Sequence, residues 1–588
     1  MKCSEVFILT VGMVLVASSA AAQGGERRPV SEETLKPITV ERRAAQARPQ
    51  ADAADATRAG RRPLMTAYGA ASSKRFRELK AHVRSGREVQ APDQVLSLAV
   101  PTPQAAASVT ASFRGMDIFD GGTFTPTDAF FSVPPDPNVA ASPTRVVHVV
   151  NTAIRMFTRN GNVVQTRDFS DFFGQPDPTI FEQTIFDPKV IYDASGPRNR
   201  FYVVALQTTF GTTQPRRSFI FLAVSRSANP ANLNPGNWCF YRINGRLNAG
   251  TEFDSWADYP SIGAGQDALV INTNQFTFDP GFFTFSAIRA IRKLPLSNNA
   301  DGCPSPRIFT FTAQDEPGDF EQGFTVQPVQ HLTNPSSFPG TSKPTYLIST
   351  LLKGFGSVPS RDYKVYRLRN IATSPTLSHR TVTGNFAYWV PPNVGQENEA
   401  GSLTTGDERM LEAAGVGDAF WTTHATACSF PSGVVSCSRV IRVRVGQSAA
   451  GALQASITRQ STFGRPDDFL FWPGIAVNLD ETVAVPFHYV SPDRTDNNLS
   501  TWWVVKSFGE TAYRPLRPLT TGTCQQVVDR TGDFSGAETD PVDKKSFWLS
   551  GERAKNIPEF DGACLWETRI IRVEPTSAAT VAAGENSP

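Results

Sequence analysis

From about residue 115 to 575 the hydrophobic positions fall in short runs, separated by clusters of Gly, Pro, Asn and Asp. Val146-Val147-His148-Val149-Val150, Phe201-Tyr202-Val203-Val204-Ala205 and Phe219-Ile220-Phe221-Leu222-Ala223-Val224 are such runs. So are Ala268-Leu269-Val270-Ile271, Tyr346-Leu347-Ile348-Ser349 and Trp502-Trp503-Val504-Val505. Being rich in β-branched and aromatic residues, they predict strands. Val440-Ile441-Arg442-Val443-Arg444-Val445 alternates apolar residues with Arg, the pattern of a strand with one wet face. No long apolar pattern with a period of about 3.6 residues occurs here, so helices should be few.

The strand starts share a grammar. An Asp, or a turn with Pro or Gly, precedes a small or β-branched residue, and a β-rich run follows about ten residues later. This holds at Asp136-Pro137-Asn138-Val139, Asp187-Pro188-Lys189-Val190 and Asp258-Tyr259-Pro260-Ser261-Ile262, and more faintly at Gln327-Pro328-Val329. It returns at Gly406-Asp407-Glu408-Arg409, Trp472-Pro473-Gly474-Ile475 and Gly532-Asp533-Phe534-Ser535-Gly536. The spacing of these seven starts, mostly 50 to 80 residues, suits a repeat of about four strands. One such sheet cannot bury both faces alone, so neighbours must stack and the ring must close on itself. The expected fold is therefore all-β: a seven-bladed β-propeller over 113–575, with a strand from 113–131 closing the ring against the last blade. A row of β-sandwiches would instead show linkers between units of about 100 residues, and none is evident.

Residues 23–112 have a different texture. They are rich in Ala, Arg, Pro and Gln, carry only Tyr68 and Phe76 as aromatics, and hold 15 Lys/Arg against 9 Asp/Glu. Apart from a short helical pattern over 72–90, they lack the apolar surface to offset ordering entropy, so a flexible basic leader is expected. The sharper alternatives are a propeptide or an arm that touches an anionic envelope. Residues 1–22 read as a secretory signal: Lys2, an apolar stretch over 6–17, then Ala20-Ala21-Ala22 before Gln23. The apolar stretch is shorter than the roughly 20 residues a membrane span needs, and no later stretch reaches that length. Secretion or periplasmic export follows, with no transmembrane segment. Residues 576–588 read as a disordered tail.

Composition sharpens this picture at two points. With 43 Gly, 44 Pro, 41 Phe and only 19% charged residues, the chain is no helical bundle. A formal net charge of +2 gives no nucleic-acid footprint. In an exported chain the even set Cys239, Cys303, Cys428, Cys437, Cys524 and Cys564 suggests disulfides. Cys428 and Cys437 flank the turn Phe430-Pro431-Ser432-Gly433 and should face each other across a hairpin. Chain proximity then pairs Cys524 with Cys564 and leaves Cys239 with Cys303. A zinc site from His424 and Cys428 lacks a CxxC or any second ligand pair.

The chain resembles a group of secreted bacterial β-propeller proteins, mostly of unassigned function. The likeness rests on Pro134-Pro135-Asp136-Pro137-Asn138, Asp187-Pro188-Lys189-Val190-Ile191-Tyr192-Asp193 with Arg200-Phe201, and Ala223-Val224-Ser225. It continues through Asp258-Tyr259-Pro260, Gly406-Asp407-Glu408-Arg409 with Trp421-Thr422-Thr423-His424, and Gly532-Asp533-Phe534-Ser535-Gly536 with Asp540-Pro541 and Phe547-Trp548. The resemblance implies fold and export, not a reaction. Some relatives are sialidase-like in architecture, but the sialidase aspartate box, Ser-x-Asp-x-Gly-x-x-Trp, is not found here.

The candidate chemistry follows from the repeat. Asp136, Asp187, Asp258, Asp407 and Asp533 should sit at equivalent inner-strand starts and ring the axis or one mouth of the channel. There an Asp commonly accepts backbone N–H bonds and fixes a turn. The alternative is an acidic ligand-binding mouth or a shared cation site. No cofactor is expected, calcium being the one ion such carboxylates suit. Arg409 beside Asp407 can bind a carboxylated ligand or pair with the acids. His424, after Trp421-Thr422-Thr423, is the best polar channel group among the histidines. No nucleophile elbow, phosphate loop or HExxH occurs. The leading expectation is a monomeric, non-catalytic binding or scaffold propeller that meets an extracellular glycan or protein. The alternative is a glycosidase or lyase acting on extracellular polysaccharide through channel-mouth carboxylates and Arg.

Overall fold

A computed structural model describes residues 23–40, 65–66, 95–97 and 107–575, apart from short stretches of which 175–184 is the longest. The expected signal peptide (1–22), the helical pattern over 72–90 and the tail (576–588) lie outside the described residues.

Seven mainly antiparallel sheets succeed one another along the chain, each led by an inner strand; in the fifth, Gln330–Thr333 pairs in parallel on the axial side of that strand. The first blade runs Asn138–Ala141, Arg145–Val150, Ala153–Thr158, Val163–Asp168. Blades 2 to 6 are led by Ile185–Asp193, Ser255–Ala264, Phe324–Pro328, Glu412–Val416 and the pair Phe469–Phe471 and Ala476–Val477. The seventh joins Gly536–Thr539, Phe547–Ile557 and Ala563–Glu574 with Ser108–Asp117, so a strand from the front of the chain closes the ring. That closing strand pairs Ile570 with Phe113 but begins at Ser108, five residues before the expected boundary.

The period-2 alternation divides each strand between two inter-blade cores. Val203 and Ala205 face the core shared with blade 1, which holds Val147, Met156 and Phe221. Tyr202, Val204 and Leu206 face the core shared with blade 3, with Ile262 and Leu269. Corresponding cores follow between each later pair of blades, and Trp548, Ile570, Val146 and Phe157 join blade 7 to blade 1. This explains why middle strands such as Arg200–Thr209 are buried throughout: both faces meet a neighbouring sheet.

The stretch 23–112 departs from the expected flexible leader in its described parts. Gln23–Arg27 adds an outer strand to blade 4, Ser31–Thr34 to blade 3 and Pro37–Ile38 to blade 2. Val95–Ser97 pairs in parallel with the outer strand of blade 5, Leu453–Gly464. Outer strands offer unpaired N–H and C=O groups that accept a strand of almost any composition. Two apolar anchors add to this: Leu35 is 5% exposed in the core between blades 2 and 3, and Val40 packs on the core between blades 1 and 2.

Three disulfides form, Cys239–Cys303, Cys428–Cys437 and Cys524–Cys564, with Cα–Cα distances of 5.4, 5.9 and 5.8 Å. They are the pairs expected. Cys428 and Cys437 lie on the two arms of one hairpin, Ala419–Phe430 and Gly433–Gln447. Among the described residues no helix is long and apolar enough to cross a membrane.

Candidate functional site: the charged axis

The inner strands begin with a shared kink. Asp136, Asp187, Tyr259, Thr325 and Trp472 have left-handed backbones, with φ between 49° and 54°. In four of these the next residue is proline: Pro137, Pro188, Pro260 and Pro473. A non-glycine left-handed residue costs on the order of 1–3 kcal/mol and needs outside support. Neighbouring blades supply it. The Asp187 N–H donates to Asn151 Oδ1 (2.6 Å), the Tyr259 N–H to Asp187 Oδ2 (3.3 Å) and the Thr325 N–H to Asn274 Oδ1 (3.0 Å). Each bond ties the start of one blade to the blade before it.

This arrangement corrects one expectation. The repeat acids are not equivalent: Asp136 and Asp187 occupy the kink, but in blade 3 the kink is Tyr259 and Asp258 precedes it by one residue. The ladder slips at the kink in both blade 2 and blade 3, between Phe186 and Lys189 and between Asp258 and Ser261, so Asp258 lies one residue ahead of the place that Asp187 holds, and alternate residues face opposite sides of a strand.

The acids do gather at the axis, but as a sealed network. Asp136, Asp187, Asp258 and Asp407 are at most 7% exposed. Asp136 accepts bonds from Asn151 Nδ2 (2.7 Å) and the Asp533 N–H (2.7 Å). Arg530 Nη2 reaches both oxygens of Asp533 at 3.2 Å. Arg409 grips Asp407 in two bonds of 2.6 Å and stacks 4.2 Å from the Tyr259 ring. Tyr259 lies across the centre: its hydroxyl donates to the Asp533 carbonyl of blade 7 (3.2 Å), and its ring meets Phe534 at 5.0 Å. Lys189 Nζ caps the other side of this plug, 3.5 Å from the Phe534 ring. Gly406 completes it: with φ +70°, an added Cβ would lie 2.3 Å from the Trp472 ring.

Burial sets the electrostatics. It raises Asp136 and Asp187 well above the ordinary carboxylate range, and neighbouring carboxylates add to the effect. Burial likewise lifts Asp258 to about 7, against the pull of Arg409, and lowers Lys189 to about 8. Asp533 is raised by burial while Arg530 and Arg409 pull it down. The positive charge among these acids comes from the protein itself. Among the described residues no three His, Cys, Asp or Glu side chains are disposed to hold a metal ion.

His424 does not join the axis. It lies between blades 4 and 5, beside Tyr363 Oη (3.2 Å) and the Ala425 carbonyl (2.8 Å), and burial lowers it to about 3. It packs edge-on against Tyr388. Its strand, Ala419–Phe430, lies outward of both Gln330–Thr333 and Glu412–Val416 in the sheet, and this puts it out of reach.

A deeper layer of the axis is absent from the repeat grammar. Glu538 of blade 7 accepts the N–H groups of Ala141 (3.0 Å) and Tyr192 (2.7 Å), spanning blades 1 and 2. Glu412 of blade 5 accepts the Ile475 N–H (2.9 Å), and Glu552 the Gly532 N–H (2.6 Å). Below the plug a partly enclosed cavity of about 50 Å³ is lined by Val190, Ile262, His331, Glu412, Ile475 and Glu538, among others. The sequence signal for this layer is a charged residue within a short inner strand: Lys189, Glu412 or Glu538.

No protein-family model matches the chain, and no curated protein matches it. Similar solved structures include Trypanosoma rangeli sialidase in complex with sialic acid (9% identity, TM-score 0.34), covering 81% of this chain and 60% of that one. Others are Drosophila Semaphorin 1a, extracellular domains 1-2 (8%, 0.34, covering 80% and 89%), and a protein of unknown function from Dyadobacter fermentans (11%, 0.31, covering 79% and 100%). The chain thus spans about three fifths of the sialidase's length. The propeller assignment rests on the strand order, and these likenesses add no argument about function.

Proposed function

We propose that the chain is an exported, non-catalytic binding or scaffold propeller that works at the cell envelope or outside the cell, as a monomer. The observation that carries this reading is the sealed axis. Asp136, Asp187, Asp258 and Asp407 are buried, and Asp533, half-buried, is held by Arg530. Hydrolysis of a glycan needs two carboxyl groups flanking an open cleft. Three disulfides suit an oxidising compartment. Long connections, such as those containing Val394–Gly395 and Ser402–Leu403, lie between successive blades on the side of the kinks. Loops on a rigid scaffold are where an extracellular glycan or protein would be met.

The glycosidase or lyase alternative keeps one favourable observation. Asp258 and Glu412 are held near 7 by burial, the range of a proton donor at neutral pH. Calcium at the acid ring belongs to the same alternative. Incubating the purified protein with a panel of polysaccharides, with and without EDTA, separates the two. No turnover in either condition is expected. Turnover that disappears in Asp533→Asn or with EDTA would replace this reading.

A further inference from the structure

The axial cavity beneath the plug serves neither the acid ring nor the loop face. Its walls are mostly apolar, with Val190, Ile262, Leu332 and Ile475 among them. Two carboxylates stand in those walls, each held by backbone: Glu538 by the amides of Ala141 and Tyr192, Glu412 by that of Ile475. The charged neighbours of Glu538 are Glu412 and Asp540, both acidic. Lys189, the cation nearest in effect to Glu412, has its ammonium over the Phe534 ring at 3.5 Å. A third polar group lines the same cavity. His331 is 1% exposed; the Thr333 backbone accepts from its ring, which leaves the other ring nitrogen as an acceptor without a bond.

Lys189 is the cation that acts on Glu412, whereas the charges acting on Glu538 are acidic and burial raises its carboxyl well above the ordinary range, so a bound cation would favour its ionised form. A metal ion suits this set poorly, because no three His, Cys, Asp or Glu side chains among the described residues gather for one. A cation with an apolar stem suits it better. An ammonium carries three donors, and an unbranched alkyl chain fits the Val, Ile and Leu walls.

We propose that this cavity binds the ammonium end of a slender, unbranched aliphatic amine. Glu538 and Glu412 supply the counter-charge, the His331 ring serves as a neutral acceptor, and the stem runs along Val190, Ile262 and Ile475. Burial supports the acceptor role, since it lowers His331 to about 4 and leaves the ring unprotonated near neutrality. The proposal is independent of what the loop face binds, so a negative polysaccharide screen leaves it standing.

The test is a titration of the full chain at pH 8 with n-butylamine hydrochloride, read by calorimetry and by the shift in Tm. The controls are 1-butanol, tert-butylamine and NaCl at matched ionic strength. A saturable response to n-butylamine alone is expected, weaker at pH 5, where the carboxylates take up protons. Glu538→Gln should weaken binding about tenfold or more, the scale of a lost charged hydrogen bond. Ala414→Leu narrows the cavity without changing its charge and should abolish binding. Equal responses to NaCl or tert-butylamine, or unchanged affinity in Ala414→Leu, would overturn the proposal, and the wild-type amine series decides the matter even if a variant fails to fold.

Discussion

At the axis of this propeller, acids lie buried beside arginines, and the kinks are supported by side chains from neighbouring blades. At the rim, the outer backbone edges of three successive blades are paired by one segment near the N-terminal end of the chain. The two regions use opposite resources. The axis spends charged side chains in a dry setting, where an unpartnered group is costly. The rim needs only backbone donors and acceptors, with a few apolar anchors. Strong sequence motifs at the axis therefore mark internal bonds, while a weak, polar stretch at the rim forms ordered strands.

The sharpest way to break this comparison is at the axis. Arg409→Ala breaks the buried ion pair with Asp407, the two side chains being 7% and 6% exposed. A loss of about 3–5 kcal/mol is expected in denaturant unfolding. A loss below about 1 kcal/mol, the range of a surface pair, would show that the acids are reached by solvent.

The disulfides give a graded comparison. Replacing both Cys239 and Cys303 by Ser opens a loop of sequence separation 64, and replacing Cys428 and Cys437 opens one of 9. On chain entropy the first costs about 4 kcal/mol and the second about 2.5. Melting curves of the two double variants should keep that order.

At the rim, Leu35→Ala removes a buried anchor from the core between blades 2 and 3. It should cost roughly 2–3 kcal/mol, toward the low end for a buried leucine, and speed hydrogen exchange in Arg307–Thr312, the partner of Ser31–Thr34. A neutral result would return residues 23–40 to the status of a loose leader.

The last effect is electrostatic and is read as a dependence on pH. Asp258 has a folded pKa raised to about 7 by burial. Its contribution to stability is therefore fully present below about pH 4 and is lost as pH rises through 7. Buried His148, His424 and His488, lowered to about 3, act in the opposite sense: their contribution holds above about 6.5 and is lost as pH falls. Comparing Asp258→Asn with wild type at each pH cancels the histidines. The variant should gain Tm relative to wild type at pH 8 and gain less at pH 5. Parallel pH profiles would mean that Asp258 is ionised and solvated.

Much of the fold was legible locally. Runs of β-branched residues between turn signals predict strands, and seven spaced starts predict seven blades, because a strand's periodicity and a turn's residue choice are short-range properties. Proline after the kink is visible in Asp136-Pro137, Asp187-Pro188, Tyr259-Pro260 and Trp472-Pro473. The three cysteine pairs followed from turn placement and chain proximity.

What only the tertiary structure decided concerns partners far apart in sequence. That Tyr259 reaches across the axis to Asp533 and Phe534 of blade 7 depends on closure of the ring. That His424 packs against Tyr363 and Tyr388 depends on which strand of a blade it occupies. That Glu538 serves the amides of Tyr192, 346 residues away, depends on ring closure. That residues 23–38 are strands depends on edges which exist only once blades 2 to 4 have formed. Hydrogen bonding and burial are set by where chain segments meet, whereas alternation and turn chemistry are carried by each segment alone.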